Sequence, residues 1–374
     1  MSSKPRFVGE KVKLGDVLQV VNGKNQKAVK DENGQYPIYG SGGQMGWASS
    51  CICPADTVII GRKGNINKPI YVSEPFWNVD TAFGLVAKPE LLDARYLYHF
   101  CKHYDFGKLN TTCTIPSLTR KNIEGILLRL PSLGGQKETA AQLDSILKQI
   151  ALAQQEIAGL DSLVKSRFVE MFEESDRYNG SVYRLADIGE IASGITKGRK
   201  ARDKELFETP YLSTANVQAG RLDLSVIKTI DATMPEIEKF RLAEGDVLMT
   251  EGGDPDKVGR GAVAHNLPKN CIHQNHVFRV RLNRVILYPE YFEMFLQSPG
   301  CREYFFRASK QTTGIATINK TQLRNMQVLV PPIKAQEEFL AFASQVDKSR
   351  FLAQQQIEKL QMLYDSLAQD YFGD

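Results

Sequence analysis

The sequence predicts an α/β fold: two pseudo-symmetric mixed α/β domains joined with a long antiparallel two-helix coiled coil. Three observations lead to this fold class. The 374 residues are more than one ordinary core accommodates, and they suit two domains. A stretch of about 40 residues occurs twice, since "LAQQEIAGL" from Leu152 returns as "LAQQQIEKL" from Leu352. Each copy carries a narrow apolar seam with helical spacing.

The composition is that of a globular protein, with 42% hydrophobic and 24% charged residues. No apolar run approaches the roughly 20 residues of a membrane helix, and the first residues lack the apolar core of a signal peptide. We therefore expect a cytoplasmic protein. Its cysteines form neither a C-x-x-C pair nor a dense disulfide pattern, so we expect reduced thiols at the following positions: Cys51, Cys53, Cys101, Cys113, Cys271 and Cys301.

The repeat divides the chain into two globular segments, each followed by a tail. The predicted boundaries are 1–134, 135–177, 178–334 and 335–374. A fainter match of "KLGDVLQVVNG" from Lys13 to "RLADIGEIASG" from Arg184 has a shorter offset than the tails, so the second segment contains extra residues. Strand-like runs such as "DTVIIGRKG" and "GDVLMTEGG", with one clear helix in each segment, "ARYLYHFCKHY" and "PEYFEMFLQS", favour a twisted mixed sheet.

The two tails are predicted to be long helices that pair with each other. Each is roughly 60 Å long at 1.5 Å per residue, and a seam this narrow requires another helix as its partner. The second helix starts where the second domain ends, so it must run back along the first, with one domain near each end. The alternative is that each tail packs on its own domain. The expected seam and partner interface consists of Ile146, Ile150, Ile157, Leu160, Val164, Val346, Ile357, Leu360, Tyr364 and Leu367.

Charge separates between the segments, because the globular parts have an excess of basic residues and the tails an excess of acidic ones. Basic heads on an acidic stalk suit a protein whose heads bind a polyanion. The basic residues lie in glycine-rich loops, where Lys and Arg can reach phosphates and guanine edges while Asn and Gln can pair with adenine. The candidate DNA-binding residues are Lys24, Lys27, Tyr39, Ser41, Gln44, Arg62, Lys63, Asn65, Lys197, Arg199, Lys200, Lys257, Arg260, Gln274 and Asn275. Each could equally belong to a solvated charged loop.

This arrangement resembles the specificity (S) subunit of type I restriction-modification systems. The residues that carry the resemblance are "KLGDVLQVVNGK", "YPIYGSGGQMGW", "FWNVDTAFGLVA", "IPSLTRKNIEGILLRLPSLGGQ" and "INKTQLRNMQVLVPPIKAQEEF", and they extend over nearly the whole chain. The most specific feature is the duplicated P-x-x-x-x-Q at Pro131/Gln136 and Pro331/Gln336. The second copy has "PPIKAQ", which is typical of the family, whereas the first has "PSLGGQ", and this departure affects only the predicted start of the first helix.

The resemblance implies a non-catalytic DNA reader. Each target-recognition domain would read one half of a split, asymmetric target in double-stranded DNA. The helices would set the half-site spacing and dock modification subunits, two of them, together with restriction subunits. S-adenosylmethionine, ATP and Mg would bind to those partners and not to this chain. The sequence agrees, since it contains no G-x-x-x-x-G-K-[ST], [ND]-P-P-[YF] or H-E-x-x-H motif.

Two other function classes stay open at this point. A protein-binding scaffold would show no salt-sensitive affinity for DNA. A zinc-dependent hydrolase would draw its ligands from Cys51, Cys53, Cys101 and His103, and metal analysis would detect it. His99 and His103, four residues apart, could equally be a helix surface pair.

Overall fold

The computed structural model describes residues 9–109, 117–173, 180–198, 205–254, 257–312 and 315–373. The chain divides into two compact units. The first unit comprises residues 1–156 and 352–374, and the second comprises residues 157–351. None of the described helices is both long enough and apolar enough to span a bilayer.

The first unit contains the first globular segment, which we call module 1. Its strands are β1 (Glu10–Lys13), β2 (Leu18–Asn22), β3 (Tyr36–Gly40), β4 (Gly43–Ala48), β5 (Thr57–Gly61), β6 (Ile70–Val72), β7 (Trp77–Asn78), β8 (Ala82–Ala87) and β9 (Leu127–Leu130). Its helices are α1 (Leu14–Val17), α2 (Ala94–His103) and α3 (Arg120–Glu124), followed by the long helix α4 (Leu133–Phe172).

Three sheets build the described part of module 1. A four-stranded antiparallel sheet has the order β2-β8-β5-β6, and a three-stranded mixed sheet has the order β4-β3-β7, in which only β3 and β7 are parallel. Strands β1 and β9 form an antiparallel pair. All five residues of β5 are buried, which explains the continuous apolar run "TVIIG". Helix α2 covers this sheet, and the Asp93 side chain caps its N-terminus by accepting hydrogen bonds from the backbone N–H groups of Arg95 and Tyr96.

The second unit contains module 2, built from the second globular segment. Its strands are β10 (Ser181–Arg184), β11 (Gly189–Ser193), β12 (Phe207–Leu212), β13 (Val217–Gln218), β14 (Arg221–Leu222), β15 (Lys228–Ala232), β16 (Val247–Thr250), β17 (Gly252–Gly253), β18 (Gly261–Val263), β19 (Ile272–His273), β20 (Val277–Leu282), β21 (Lys310–Thr312), β22 (Ile315–Thr317) and β23 (Gln327–Val330). Its helices are α5 (Leu185–Ile188), α6 (Met234–Phe240), α7 (Pro289–Gln297), α8 (Pro299–Ala308) and α9 (Lys320–Arg324), followed by the long helix α10 (Ile333–Phe372).

Module 2 repeats the sheets of module 1 strand for strand. The order β11-β20-β16-β18 matches β2-β8-β5-β6, the order β15-β12-β19 matches β4-β3-β7, and the pair β10-β23 matches β1-β9. The parallel contact recurs between β12 and β19. The predicted pseudo-symmetric mixed α/β fold is therefore confirmed, and the two modules share one backbone frame.

The helix predicted at "PEYFEMFLQS" is confirmed as α7, and module 2 has further helices that the sequence analysis did not predict. Helix α7 is followed at once by α8, and α6 lies earlier in the chain. Ser298 is extended, ends α7, and caps α8 by accepting a hydrogen bond from the backbone N–H of Cys301, while Pro299 takes the first helical position. These elements and the hairpin β13–β14 account for residues that module 2 has in excess of module 1.

The long helices α4 and α10 run antiparallel within each unit. In the first unit Leu143, Ile146 and Ile150 of α4 pack against Tyr364 and Tyr371 of α10. The early part of α4 thus meets the late part of α10, as the predicted antiparallel pairing requires.

In the second unit the late part of α4 meets the early part of α10. Asp161 pairs with Arg350 across 3.2 Å, and the rings of Phe168 and Phe339 lie 5.4 Å apart. The helices also pack on the modules, because Phe372 contacts Tyr96 in the first unit and Phe168 contacts Tyr291 in the second. Each of these two contacts joins the end of one tail to the module of the other segment, so neither is the alternative in which each tail packs on its own domain.

The duplicated glutamines of the P-x-x-x-x-Q motif join each long helix to its module. Gln136 and Gln336 are completely buried. The Gln136 amide accepts from the Asp93 N–H at 2.8 Å and donates to the carbonyls of Leu91 at 3.0 Å and Pro131 at 2.9 Å.

Gln336 makes the same three hydrogen bonds in the second unit. It accepts from the Tyr288 N–H at 2.9 Å and donates to the carbonyls of Ile286 at 3.0 Å and Pro331 at 2.8 Å. Each buried amide therefore bonds three backbone groups and has its own polar atoms satisfied, and this explains why the motif occurs twice.

We predict that Gln136→Ala lowers the free energy of unfolding by about 3 kcal/mol, because three backbone groups lose their partner and a cavity forms where the buried amide was. Urea unfolding of the full chain measures this change. Gln154→Ala is the matched control, since Gln154 is exposed on the same helix, and its effect should stay within about 0.5 kcal/mol. Equal stability of the two variants would contradict the assigned role.

Candidate nucleic-acid interface

In module 1 most of the predicted DNA-binding residues gather at one end of the sheets, around residues 78–82. The Lys24 N–H donates to the Asn78 carbonyl at 2.9 Å, the Val79 N–H donates to the Tyr39 carbonyl at 2.9 Å, and the Arg62 N–H donates to the Thr81 carbonyl at 2.8 Å. Three loops that are distant in sequence are thereby held together by backbone hydrogen bonds.

Further predicted residues lie in the same loops. A Cβ on Gly61 would lie 3.1 Å from Ser41 Cβ and 2.4 Å from the Asn65 carbonyl, so these residues are close neighbours. Gln44 stands opposite Tyr39 in the β3–β4 hairpin. Lys27 and Lys63 are exposed in the adjoining loops.

Two of these residues have side chains engaged within module 1. The Tyr39 ring packs edge-on against Phe76, with centroids 5.6 Å apart. The Tyr39 side chain is half-buried, so part of it can still contact a ligand. The Arg62 guanidinium is exposed and lies 5.8 Å from the centroid of Phe83. Among the described residues, no acidic side chain forms an ion pair with Arg62.

A close backbone contact fixes this end of module 1. Any Cβ on Gly23 would lie 1.8 Å from the Val79 carbonyl oxygen, so only glycine fits there. Module 2 repeats the contact, since a Cβ on Gly194 would lie 1.9 Å from the His273 carbonyl oxygen. The two glycines of "VVNG" and "IASG" therefore mark the same position in the frame.

Module 2 brings Lys197, Gln274 and Asn275 to the corresponding end. The Gln274 N–H donates to the Leu212 carbonyl at 2.9 Å, as Val79 does to Tyr39, and the Asn275 N–H donates to the Ile195 carbonyl at 3.0 Å. The Lys197 ammonium lies over the Tyr211 ring, 4.9 Å from its centroid. Arg199 and Lys200 lie outside the described residues.

The loop after β16 places Lys257 and Arg260 near this end, but neither side chain is a freely exposed cation. The Lys257 ammonium forms an ion pair with Asp254, and the carboxylate offsets part of its attraction for a phosphate. Arg260 is half-buried, and its backbone carbonyl accepts from the Thr250 N–H at 3.0 Å. A phosphate role therefore suits Lys197 better than these two residues.

Sequence reasoning missed Glu251 and His276, which line a cavity at this end of module 2. The cavity has a volume of about 600 Å3, and its polar lining includes Thr214, Glu251, Gln274, His276 and Asn319. His276 Nδ1 lies 2.7 Å from a Glu251 carboxylate oxygen. His276 ends the sequence "HQNH". From this sequence only Gln274 and Asn275 are predicted to bind DNA, because their amides can pair with adenine.

One buried residue in each module supports this end of the frame. Asn78 in module 1 donates from Nδ2 to the Ala82 carbonyl at 3.1 Å, and His273 in module 2 donates from Nδ1 to the Val277 carbonyl at 2.7 Å. Both residues are completely buried. Burial lowers the pKa of His273 to about 4, so the imidazole is neutral at pH 7 with its hydrogen on Nδ1.

All ten predicted seam residues lie on the inner sides of the long helices. Five are buried, namely Ile146, Ile150, Val164, Val346 and Tyr364. Five are half-buried, namely Ile157, Leu160, Ile357, Leu360 and Leu367.

The candidate zinc ligands do not converge. Within the described residues no group of three or more His, Cys, Asp or Glu side chains is placed to hold a metal ion. Cys101 is completely buried in the module 1 core, and burial raises its pKa. His99 is engaged on both ring nitrogens, each 2.9 Å from its partner, by the Tyr364 hydroxyl and the Asp144 carboxylate.

Comparisons with known proteins agree with this architecture. A family model described as the type I restriction modification DNA specificity domain matches residues 9–162 and 179–362. The EcoKI type I restriction enzyme specificity subunit of Escherichia coli K12 is 26% identical over 330 residues, which cover 80% of this chain and 71% of that protein. The EcoBI specificity subunit of Escherichia coli is 22% identical over 335 residues, with 79% and 69% covered.

Two solved structures share the fold. The S subunit of a type I restriction-modification system from M. genitalium aligns with a TM-score of 0.57 at 13% identity, covering 100% of this chain and 98% of that one. A chain from a study of type I R-M complex assembly and conformational transition aligns with a TM-score of 0.59 at 16% identity, covering 100% of both.

We predict that His273 makes module 2 sensitive to acid. Its pKa is near 6.5 when unfolded and about 4 when folded, so the unfolded state binds more protons between these values. Stability is therefore fully present above pH 6.5 and decreases as pH falls towards 4, by about 2 kcal/mol at pH 5. Urea unfolding at pH 7 and pH 5 measures the loss.

His273→Asn should abolish that loss, because Asn78 performs the same role in module 1 and does not titrate. An equal loss between pH 7 and pH 5 in wild type and His273→Asn would exclude His273 as the source.

Proposed function

This chain belongs to the family of type I restriction-modification DNA specificity proteins, and from that premise we propose that the strand-end loops of each module read one half of its target. As a specificity subunit with two target-recognition domains, the chain recognises DNA and is non-catalytic. The proposed target is bipartite and asymmetric, because the two modules carry different side chains on one frame. The observation that carries the proposal is the gathering of basic and amide side chains at the same end of both modules.

The proposed contacts divide by chemistry. Lys24, Lys27, Lys63 and Lys197 would bind phosphates, because an ammonium on a flexible stem in an exposed loop contributes charge without reading sequence. Ser41, Gln44, Asn65, Gln274 and Asn275 would reach base edges in the major groove, where their groups can both donate and accept. Tyr39 would offer its hydroxyl, since its ring is engaged with Phe76.

Exposed apolar residues on the long helices support a docking surface for protein partners. Leu152 and Leu352 are 54% and 64% exposed, and Leu163 and Leu363 are 48% and 47% exposed. Each pair occupies the same repeat position, so the same surface chemistry occurs twice. A duplicated surface suits two copies of one partner.

We assign this duplicated surface to two modification subunits, with restriction subunits joining the assembly. S-adenosylmethionine, ATP and Mg would bind to those partners. The complex would act in the cytoplasm, where its DNA is found.

We predict that replacing Lys24, Lys27 and Lys63 together with Ala weakens DNA binding and flattens its salt dependence. Each lost phosphate contact should reduce the slope of log K against log salt by about 0.9, so the slope should fall by about 2 to 3. Titration of the full chain with a duplex of random sequence over a salt series measures both effects.

The matched control replaces Lys148, Lys165 and Lys359, which are exposed on the long helices. This variant changes the net charge equally and should retain the wild-type slope. A protein-binding scaffold predicts no salt-sensitive affinity in any of the three proteins.

We predict that Leu152→Glu combined with Leu352→Glu disrupts assembly with modification subunits, because two carboxylates would be desolvated in the interface. Co-expression and light scattering should show at least about a tenfold loss of assembled complex. Val226→Glu with Val285→Glu is the control, since these valines are 66% and 82% exposed in module 2. Equal assembly of both variants would move the docking surface elsewhere.

A further inference from the structure

Arg62 of module 1 and Glu251 of module 2 occupy the same position in the shared frame. Arg62 directly follows β5, and Glu251 directly follows β16, the matching strand. The Arg62 N–H donates to the Thr81 carbonyl and its carbonyl accepts from the Leu118 N–H, at 2.8 and 3.0 Å.

The backbone of Glu251 makes the same two bonds. Its N–H donates to the His276 carbonyl at 3.0 Å, and its carbonyl accepts from the Ile318 N–H at 2.9 Å. The two side chains therefore start from equivalent points, at the end of each module where the proposed DNA contacts gather.

Their hydrogen-bonding chemistry is opposite. A guanidinium only donates, and an ionised carboxylate only accepts. The Arg62 side chain is exposed, whereas the Glu251 side chain is 31% exposed and is held by His276 at 2.7 Å beside the cavity of about 600 Å3. Within the described residues, the other carboxylate oxygen of Glu251 accepts no hydrogen bond.

A carboxylate at this position is repelled by phosphates. The group on DNA that it can bind favourably is a hydrogen-bond donor on a base edge. Cytosine presents the N4 amino group alone, whereas adenine presents N6 beside the N7 acceptor, which repels a carboxylate. The major-groove edge of cytosine is therefore the best match for Glu251, and the O6 and N7 acceptors of guanine are the best match for Arg62.

We propose that this shared position determines specificity in both modules: Arg62 reads a guanine in one half-site, and Glu251, oriented by His276, reads a cytosine in the other. The assignment rests on the proposed function and deepens it, because it gives each half-site one base. His276 is a positioning residue, since it acts by holding the carboxylate that contacts the base.

The test is enrichment of duplexes from a randomised library by the full chain assembled with its modification subunits, followed by sequencing. Wild type should enrich a split sequence with an invariant G·C pair in each half, whose guanine Arg62 contacts in one half and whose cytosine Glu251 contacts in the other. Glu251→Gln should lower the preference for that cytosine by about tenfold and shift it towards adenine, which a glutamine amide pairs with bidentately. Arg62→Gln should relax the guanine in the other half in the same way.

Glu244→Gln is the matched control. Glu244 also pairs with a histidine, His265, but it precedes β16 whereas Glu251 follows it, so the two pairs lie at opposite ends of one strand. This variant should keep the wild-type sequence preference. His276→Gln should broaden the preference at the cytosine position without changing the salt dependence of binding, an effect that a merely structural loss would not produce.

The outcomes separate cleanly. Unchanged base preferences in Glu251→Gln would overturn the reading role of Glu251. A uniform loss of affinity with a shallower salt slope in Arg62→Gln would make Arg62 a phosphate contact and overturn its reading role.

Because Gln is close in size to Glu and the Glu251 side chain is partly exposed, the Glu251→Gln variant is expected to fold. Glu251→Asp provides a second variant with the charge retained and the reach shortened, and it too should lower the cytosine preference. A wild-type assembly that enriches no sequence would overturn the proposed function itself.

Discussion

The buried amide of Gln136, and of Gln336 in the second unit, is the interaction on which the rest of each unit depends. The planar amide offers one acceptor and two donors. It bonds the backbone just before α2 or α7, and it also bonds the carbonyl of the proline that precedes the long helix. No other side chain of that size satisfies one N–H and two carbonyl groups at once. The direction in which each long helix leaves its module is thereby set, and the pairing of α4 with α10 within each unit follows from it.

A second constraint fixes the opposite end of each module. The close approach of Gly23 to the Val79 carbonyl, repeated at Gly194 and His273, holds the strand-end loops by backbone contacts alone. Because those bonds use no side chains, the residues they position can change without altering the frame. Asn78 and His273 show this freedom in the core, where different groups supply the same hydrogen bond to a backbone carbonyl.

The features that follow from local periodicity could be predicted from sequence. Helices α4 and α10 begin two residues before the predicted boundaries of the tails, and every predicted seam residue is buried or half-buried. Features that depend on pairing between distant strands were harder to predict. The equivalence of Arg62 and Glu251 arises from bonds to residues far along the chain, and extra residues in module 2 obscure it. Placing "VIIGRKG" above "VLMTEGG" does align them, but only the strand pairing shows that this alignment is correct.

The same comparison explains why the two modules need not contribute equally to binding. A guanidinium at the shared position adds attraction to any DNA, because it favours phosphates and guanine alike. A carboxylate there opposes every sequence that offers no amino group to it, so it contributes discrimination at the expense of general affinity. Module 2 also pairs Lys257 with Asp254, which removes further attraction. On the proposed assignment, module 1 therefore supplies more of the salt-sensitive affinity, and module 2 gains its selectivity from rejecting wrong half-sites.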